Sequence, residues 1–85
     1  MPNAYEVIRA EALFVSCLQS SESPAPSEVR RAVARALRQL GTAGCAAQVA
    51  GEFGDHPDTA VGRMRWALAT VSAVYAPPPA LAYAA

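Results

Sequence analysis

No lysine occurs in the chain: every cationic side chain is arginine, and seven of them balance seven carboxylates to a formal net charge of +0. A balanced chain has no general attraction for nucleic acid or for an anionic membrane, so electrostatic recognition has to come from charge that is segregated along the sequence. Histidine occurs once, as His56. That excludes a site built on two imidazoles, and no nucleophile and base pairing is indicated elsewhere. Cysteine occurs twice, as Cys17 and Cys45, without partners at the short spacings that metal sites use. Buried free thiols are the simpler reading, and a disulfide joining the first helix to the third is the other. A glycine-rich phosphate loop and paired carboxylates on one helical face are also missing. His56 between Asp55 and Asp58 offers too few converging ligands for a metal. We therefore expect no enzyme activity from this chain alone, no cofactor and no metal.

Segments that would send the chain to or through a membrane are also not indicated. Glu6, Arg9 and Glu11 interrupt what would have to be the apolar core of a signal peptide, so a cytoplasmic location is expected. From Trp66 to Ala85 there are twenty positions without a charge, a length that could reach across a bilayer as a helix. Pro77, Pro78 and Pro79, and the prevalence of Ala, Ser and Thr over larger aliphatics, argue against a membrane span.

What is present reads as one small helical domain. An 85-residue chain buries only about 60% of the surface that it exposes when unfolded. Many of its apolar residues are alanine, which contributes little area, so association with a partner or a second copy would help stability. Residues 1–76 are expected to form a single helical domain and residues 77–85 a Pro/Ala-rich tail.

The first helix is predicted from Ala4 to Gln19, with Asn3 as N-cap and Glu6 three residues on. Its apolar residues cover more than half of its circumference, which makes it either central to the fold or shared with a partner. Ser20 to Pro26 is a linker without periodicity. Ser27 is expected to cap a second helix, in which Val29, Val33, Ala36, Leu37 and Leu40 form one core-facing stripe. On its other side Arg31, Arg35 and Arg38 recur at i, i+4 and i+7. Such a basic row can follow phosphates, dock an acidic partner or simply be a solvated face. Ser27 to Leu40 holds four Arg against one Glu, whereas Met1 to Pro26 holds three Glu against one Arg. The charge is segregated.

Gly41 is expected to close the second helix in a left-handed conformation. A third helix should then run from Ala43 to Phe53, capped by Thr42, with Ala46, Val49, Ala50 and Phe53 inward. Gly54 is expected to close it in the same way. Pro57 lacks an N–H and suits the first turn of a fourth helix ending near Tyr75, with Asp55 and Asp58 near its positive end. Val61, Met64, Leu68, Val71 and Tyr75 are its expected core residues. Thr59, Arg63 and Trp66 fall on the opposite side. Trp66 is either packed against a neighbouring helix or the tail, or an anchor for a partner beside Arg63, since Trp and Arg are enriched at binding hot spots.

The segment Gly54-Asp-His-Pro-Asp-Thr-Ala60 resembles the turn of helix-turn-helix proteins, matching it at Gly54, Pro57 and Thr59, with Ala50 at the small position of the supporting helix. The arginine-only, alanine-rich composition is similar to that of actinobacterial proteins. The resemblance implies an all-α, small four-helix domain with a helix-turn-helix-like third and fourth helix. It further implies a regulatory DNA-binding module, candidate homodimer included, with Thr59, Arg63, Arg65 and the row Arg31, Arg35, Arg38 toward DNA. The competing expectation is a protein-docking adaptor or a non-catalytic accessory subunit of a multi-subunit complex or two-component enzyme. It would use Trp66, Arg63 and the surplus apolar face of the first helix.

Overall fold

The computed structural model describes residues 2–76, and over these the chain is all-helical. Helix α1 spans Ala4–Val15, α2 spans Pro26–Asp55 and α3 spans Pro57–Val74, with one short 3-10 turn at Ser20–Glu22. Three α-helices are therefore present among the described residues where four were expected. The expected second and third are one element, interrupted at Gly41, whose φ of 70° and ψ of 173° depart from the helix on either side of it. This conformation is open essentially to glycine alone, so the break between the expected second and third helices falls where the sequence places it, as a kink with helix on both sides and no loop between. The proline-rich tail at residues 77–85 lies outside the described residues.

Capping explains the other boundaries. The Glu6 amide donates to Asn3 Oδ1 at 2.9 Å, which starts α1 as expected. That helix stops at Val15 and does not reach Gln19. Ser16 causes the early stop: its hydroxyl donates to the Leu13 carbonyl at 2.6 Å and accepts from the Leu18 amide at 3.3 Å, and with ψ at 171° its backbone leaves the helix. A serine able to satisfy local backbone groups competes with helix continuation. Helix α2 begins two residues before the start expected from a Ser27 cap, with Pro26 in its first turn and Ala25 at the cap. The Glu28 carboxylate accepts from the Ala25 amide at 3.0 Å, so Ser27 is not the cap.

Gly54 is also a correction. Gly41 is the one glycine with positive φ, and Gly54 continues α2 as an ordinary helical residue. The reversal into α3 is made by His56 alone, with φ of −138° and ψ of 62°. Its amide donates to the Glu52 carbonyl at 2.7 Å, and its own carbonyl accepts from the Ala60 amide at 2.9 Å and the Thr59 hydroxyl at 3.2 Å. Pro57 opens α3 as expected.

One core joins the helices. Ala10, Ala12, Leu13 and Phe14 of α1 meet Val29, Val33, Ala36, Cys45 and Val49 of α2 and Ala60, Ala67 and Val71 of α3. Leu13, Val29, Val71 and Cys45 are the largest side chains that are wholly enclosed. Each helix packs against both of the others; on α1, Tyr5, at 72% exposure, and Val7 face outward. The expected stripe of α2 is buried at Val29, Val33 and Ala36, but Leu40 is 38% exposed. Of the inward residues expected after the kink, Val49 is buried, whereas Ala50 and Phe53 are exposed. On α3 the buried line is Ala60, Ala67 and Val71, with Met64 and Leu68 half-buried and Val61 exposed. That line lies about one residue away from the expected one, because small Ala60 and Ala67 let α3 approach the other helices more closely than Val61 would. The same rotation carries Arg63 inward.

Candidate docking groove

Helix α1 ends with its last carbonyls unpaired, as every helix does. Arg63 supplies the donors. Its Nε donates to the Phe14 carbonyl at 2.6 Å, and its Nη2 to the carbonyls of Ser16 at 3.0 Å, Leu18 at 2.9 Å and, more weakly, Leu13 at 3.4 Å. A cation at a helix C-terminus also meets the negative end of the macrodipole. The guanidinium carbon lies 5.1 Å from the Trp66 ring centroid and 5.7 Å from that of Phe14, within cation–π range. Burial holds the Arg63 pKa below the ordinary guanidinium value. Arg63 therefore pins the segment from Ser16 to Leu18 to α3, and this corrects its expected place on an outward binding face. Trp66 is half-buried against the core beside it.

The pinned segment forms one wall of a groove of about 710 Å³, whose opposite wall is the first half of α2. Arg31, Arg35 and Arg38 line it, as their helical spacing predicts, and all three are exposed. Seven residues of helix at 1.5 Å each put the outer two about 10 Å apart along the axis. Val15, Leu18, Ala32, Ala36 and Leu40 supply apolar surface to the same groove. Glu28, near the start of α2, is the one carboxylate lining it.

The remaining expected site residues are elsewhere. Arg65 is exposed on α3, an element that does not line the groove. Thr59 is exposed at the start of α3 and its hydroxyl bonds to His56. Together with Arg63 it lines a second cleft of about 500 Å³, to which Gln48, Glu52 and Asp55 also contribute. The cleft and the groove share Val15 and Ser16, so they flank the same end of α1. The expected set thus divides into a row on α2, a structural clamp at Arg63 and Trp66, and two exposed residues of α3. Ser16 and Leu18, which shape the groove, were not singled out from the sequence. The available signal was a serine following an apolar helical run.

Both cysteines are free. Cys45 is buried, with its Sγ 3.8 Å from the Ala36 carbonyl, and burial, reinforced by Glu11, raises its pKa. Cys17 is exposed and lines the groove, which corrects the expectation that it is buried. No group of metal-ligating side chains occurs among the described residues, and no helix there is long and apolar enough to cross a membrane. Neither a protein-family model, nor a curated protein, nor a solved structure matches the chain.

Proposed function

We propose that this chain is a non-enzymatic helical docking module, an adaptor or accessory subunit, whose groove between the end of α1 and the first half of α2 holds an acidic amphipathic segment of a protein. The observation that carries this reading is the combination of three exposed guanidiniums, Arg31, Arg35 and Arg38, with an apolar floor that includes Leu18 and Leu40. Arginine pairs with carboxylates through a planar fork that fixes geometry as well as charge. Aliphatic surface beside it is matched by the apolar face of a helix laid in a groove.

Regulatory DNA binding is less well supported. Its helix-turn-helix-like corner, the end of α2 with α3, would have to read bases through α3. Arg63 is occupied by main-chain carbonyls, leaving Arg65 beside exposed Asp58 and Val61. An apolar floor also contributes nothing to following phosphates.

Fluorescence anisotropy distinguishes the two. A labelled amphipathic peptide of about 15 residues, with leucine on one face and glutamate on the other, should bind saturably. Affinity should fall about tenfold or more, equivalent to about 1.4 kcal/mol, in Arg35→Glu, and binding should vanish when Arg31, Arg35 and Arg38 are all reversed. A duplex DNA probe should show no saturable binding at low salt. Salt-sensitive DNA binding without peptide binding would reverse the assignment.

A further inference from the structure

Helix α2 sorts its charges by sign on either side of the break at Gly41. Arg30, Arg31, Arg35 and Arg38 lie before it. Glu52 and Asp55 stand at the end of the helix, where the last turn has no basic residue. From Gln39 to Gly62 the chain holds three carboxylates, Glu52, Asp55 and Asp58, and no arginine. The acidic end is also apolar: Phe53, between these carboxylates and stacked on Phe14 with ring centroids 6.1 Å apart, remains 37% exposed. An acidic corner with a protruding aromatic ring has the chemistry that the arginine groove calls for, and both are on this chain.

We propose that the groove's protein occupant is a second copy of the chain, with Glu52, Phe53 and Asp55 of each copy seated on Arg31, Arg35 and Arg38 of the other in a closed two-fold dimer. This rests on the docking reading and names its partner. Groove and acidic cleft flank the same end of α1 and share Val15 and Ser16, so they adjoin on the surface of one copy. A two-fold axis then makes each contact twice, and the assembly closes. Beside the kink α2 exposes Thr42, Ala43 and Ala47, small residues that leave room for two copies to approach near the axis. This arrangement brings each acidic corner to the partner's basic row, so both contacts oppose unlike charges. It also covers Phe53 and Leu40, apolar area that a chain of this size has little means to bury alone.

Sedimentation equilibrium of the full chain tests this. The wild type should show about twice the monomer mass of 8.9 kDa. The dimer should weaken as salt shortens the screening length from about 30 Å at 0.01 M to about 3 Å at 1 M. Arg35→Glu sets glutamate against Glu52 in both contacts of a dimer, and Glu52→Arg sets arginine against Arg35. Each variant should be folded by circular dichroism and monomeric. Mixed one to one they should form a heterodimer, because both contacts then pair opposite charges. A wild type that stays monomeric, an assembly that keeps growing with concentration, or a mixture that stays monomeric would each overturn the proposal. The Glu52→Arg variant, which keeps its groove but cannot pair with itself, separates this inference from its premise. If the wild type is monomeric and that variant still binds the acidic peptide, only the dimer is wrong; if the peptide does not bind either, the docking groove is wrong as well.

Discussion

Replacing Arg63 with methionine removes the guanidinium while keeping most of the apolar stem that packs between Phe14 and Trp66. Four carbonyls lose a donor, but not equally. Leu13 is also served by the amide and hydroxyl of Ser16, so its 3.4 Å contact with Arg63 is dispensable. The carbonyls of Phe14, Ser16 and Leu18 depend on Arg63, at 2.6, 3.0 and 2.9 Å. Stranding a buried acceptor costs about 1–3 kcal/mol, and three would cost several. Arg63 is only half-buried, however, so water can reach part of this cluster once the side chain is gone. A net loss of about 2–4 kcal/mol, including about 0.3–1 kcal/mol from the helix dipole, follows. For a domain of this size each kcal/mol moves Tm by about 4–8 °C, which puts the shift at about 10–30 °C. Whole-domain stability at about 0.05–0.15 kcal/mol per residue is about 4–13 kcal/mol for 85 residues, so Arg63→Met removes a large part of it. Thermal unfolding followed by circular dichroism measures this. Arg63→Lys should recover a minor part, since an ammonium keeps the charge at the helix end but cannot span three carbonyls. If Arg63→Met melts within a few degrees of the wild type, Arg63 does not clamp α1, and the wall of the groove has no anchor.

Two glycines separate backbone conformation from steric room. Neither Gly41 nor Gly54 has an atom within 4 Å of where a Cβ would be added, yet Gly41→Ala should lose about 1–3 kcal/mol in chemical denaturation because its φ of 70° is strained for alanine. Gly54→Ala should gain about 0.5–1 kcal/mol as a helical position freed of glycine, and a loss there would restore the left-handed turn expected from the sequence. Thiol titration in native buffer should label Cys17 quickly and Cys45 only on unfolding; two equally fast thiols would contradict the buried position of Cys45. In alkali, the raised pKa values of Cys45 and Tyr75, both due first to burial, keep these groups protonated in the folded chain while the unfolded chain ionises. Their stabilising contribution is therefore complete below pH 9.0, the thiol's ordinary value, and is lost as pH rises through the folded values. Denaturant midpoints that stay level from neutral pH through this alkaline window would count against burial of both groups.

Helix existence and most of its punctuation were legible in the sequence, because caps and breaks are local chemistry. Asn3, Gly41 and Pro57 each act within one turn of their own position, and each does what its residue type requires. The end of α1 and the route of the chain at Gly54 were less legible. Ser16 stops a helix only if its hydroxyl turns back to Leu13 and something else takes the carbonyls it leaves. That donor comes from Arg63, 47 residues away. A glycine near a turn is an invitation to positive φ, not an obligation, and here His56 makes the reversal instead.

The candidate site shows the same division between local and distant causes. Arg31, Arg35 and Arg38 share a face because helical geometry fixes it, and their row could be read without coordinates. The groove they border could not, since its second wall is a loop held in place from another helix. Charge was also a poor guide to depth. A core line through Val61, Met64 and Leu68 puts Arg63 outward, whereas the small residues Ala60 and Ala67 set the line of closest approach and leave room for a long cation to reach the end of α1. The residue that resembled a contact to an external partner thus makes that contact internally, and through Ser16 to Leu18 it shapes the surface where a partner is proposed. Stability and docking are coupled at this point: a variant that loosens Arg63 should weaken acidic-peptide binding without touching the peptide, and the loss should follow the population of chains in which the end of α1 has come free.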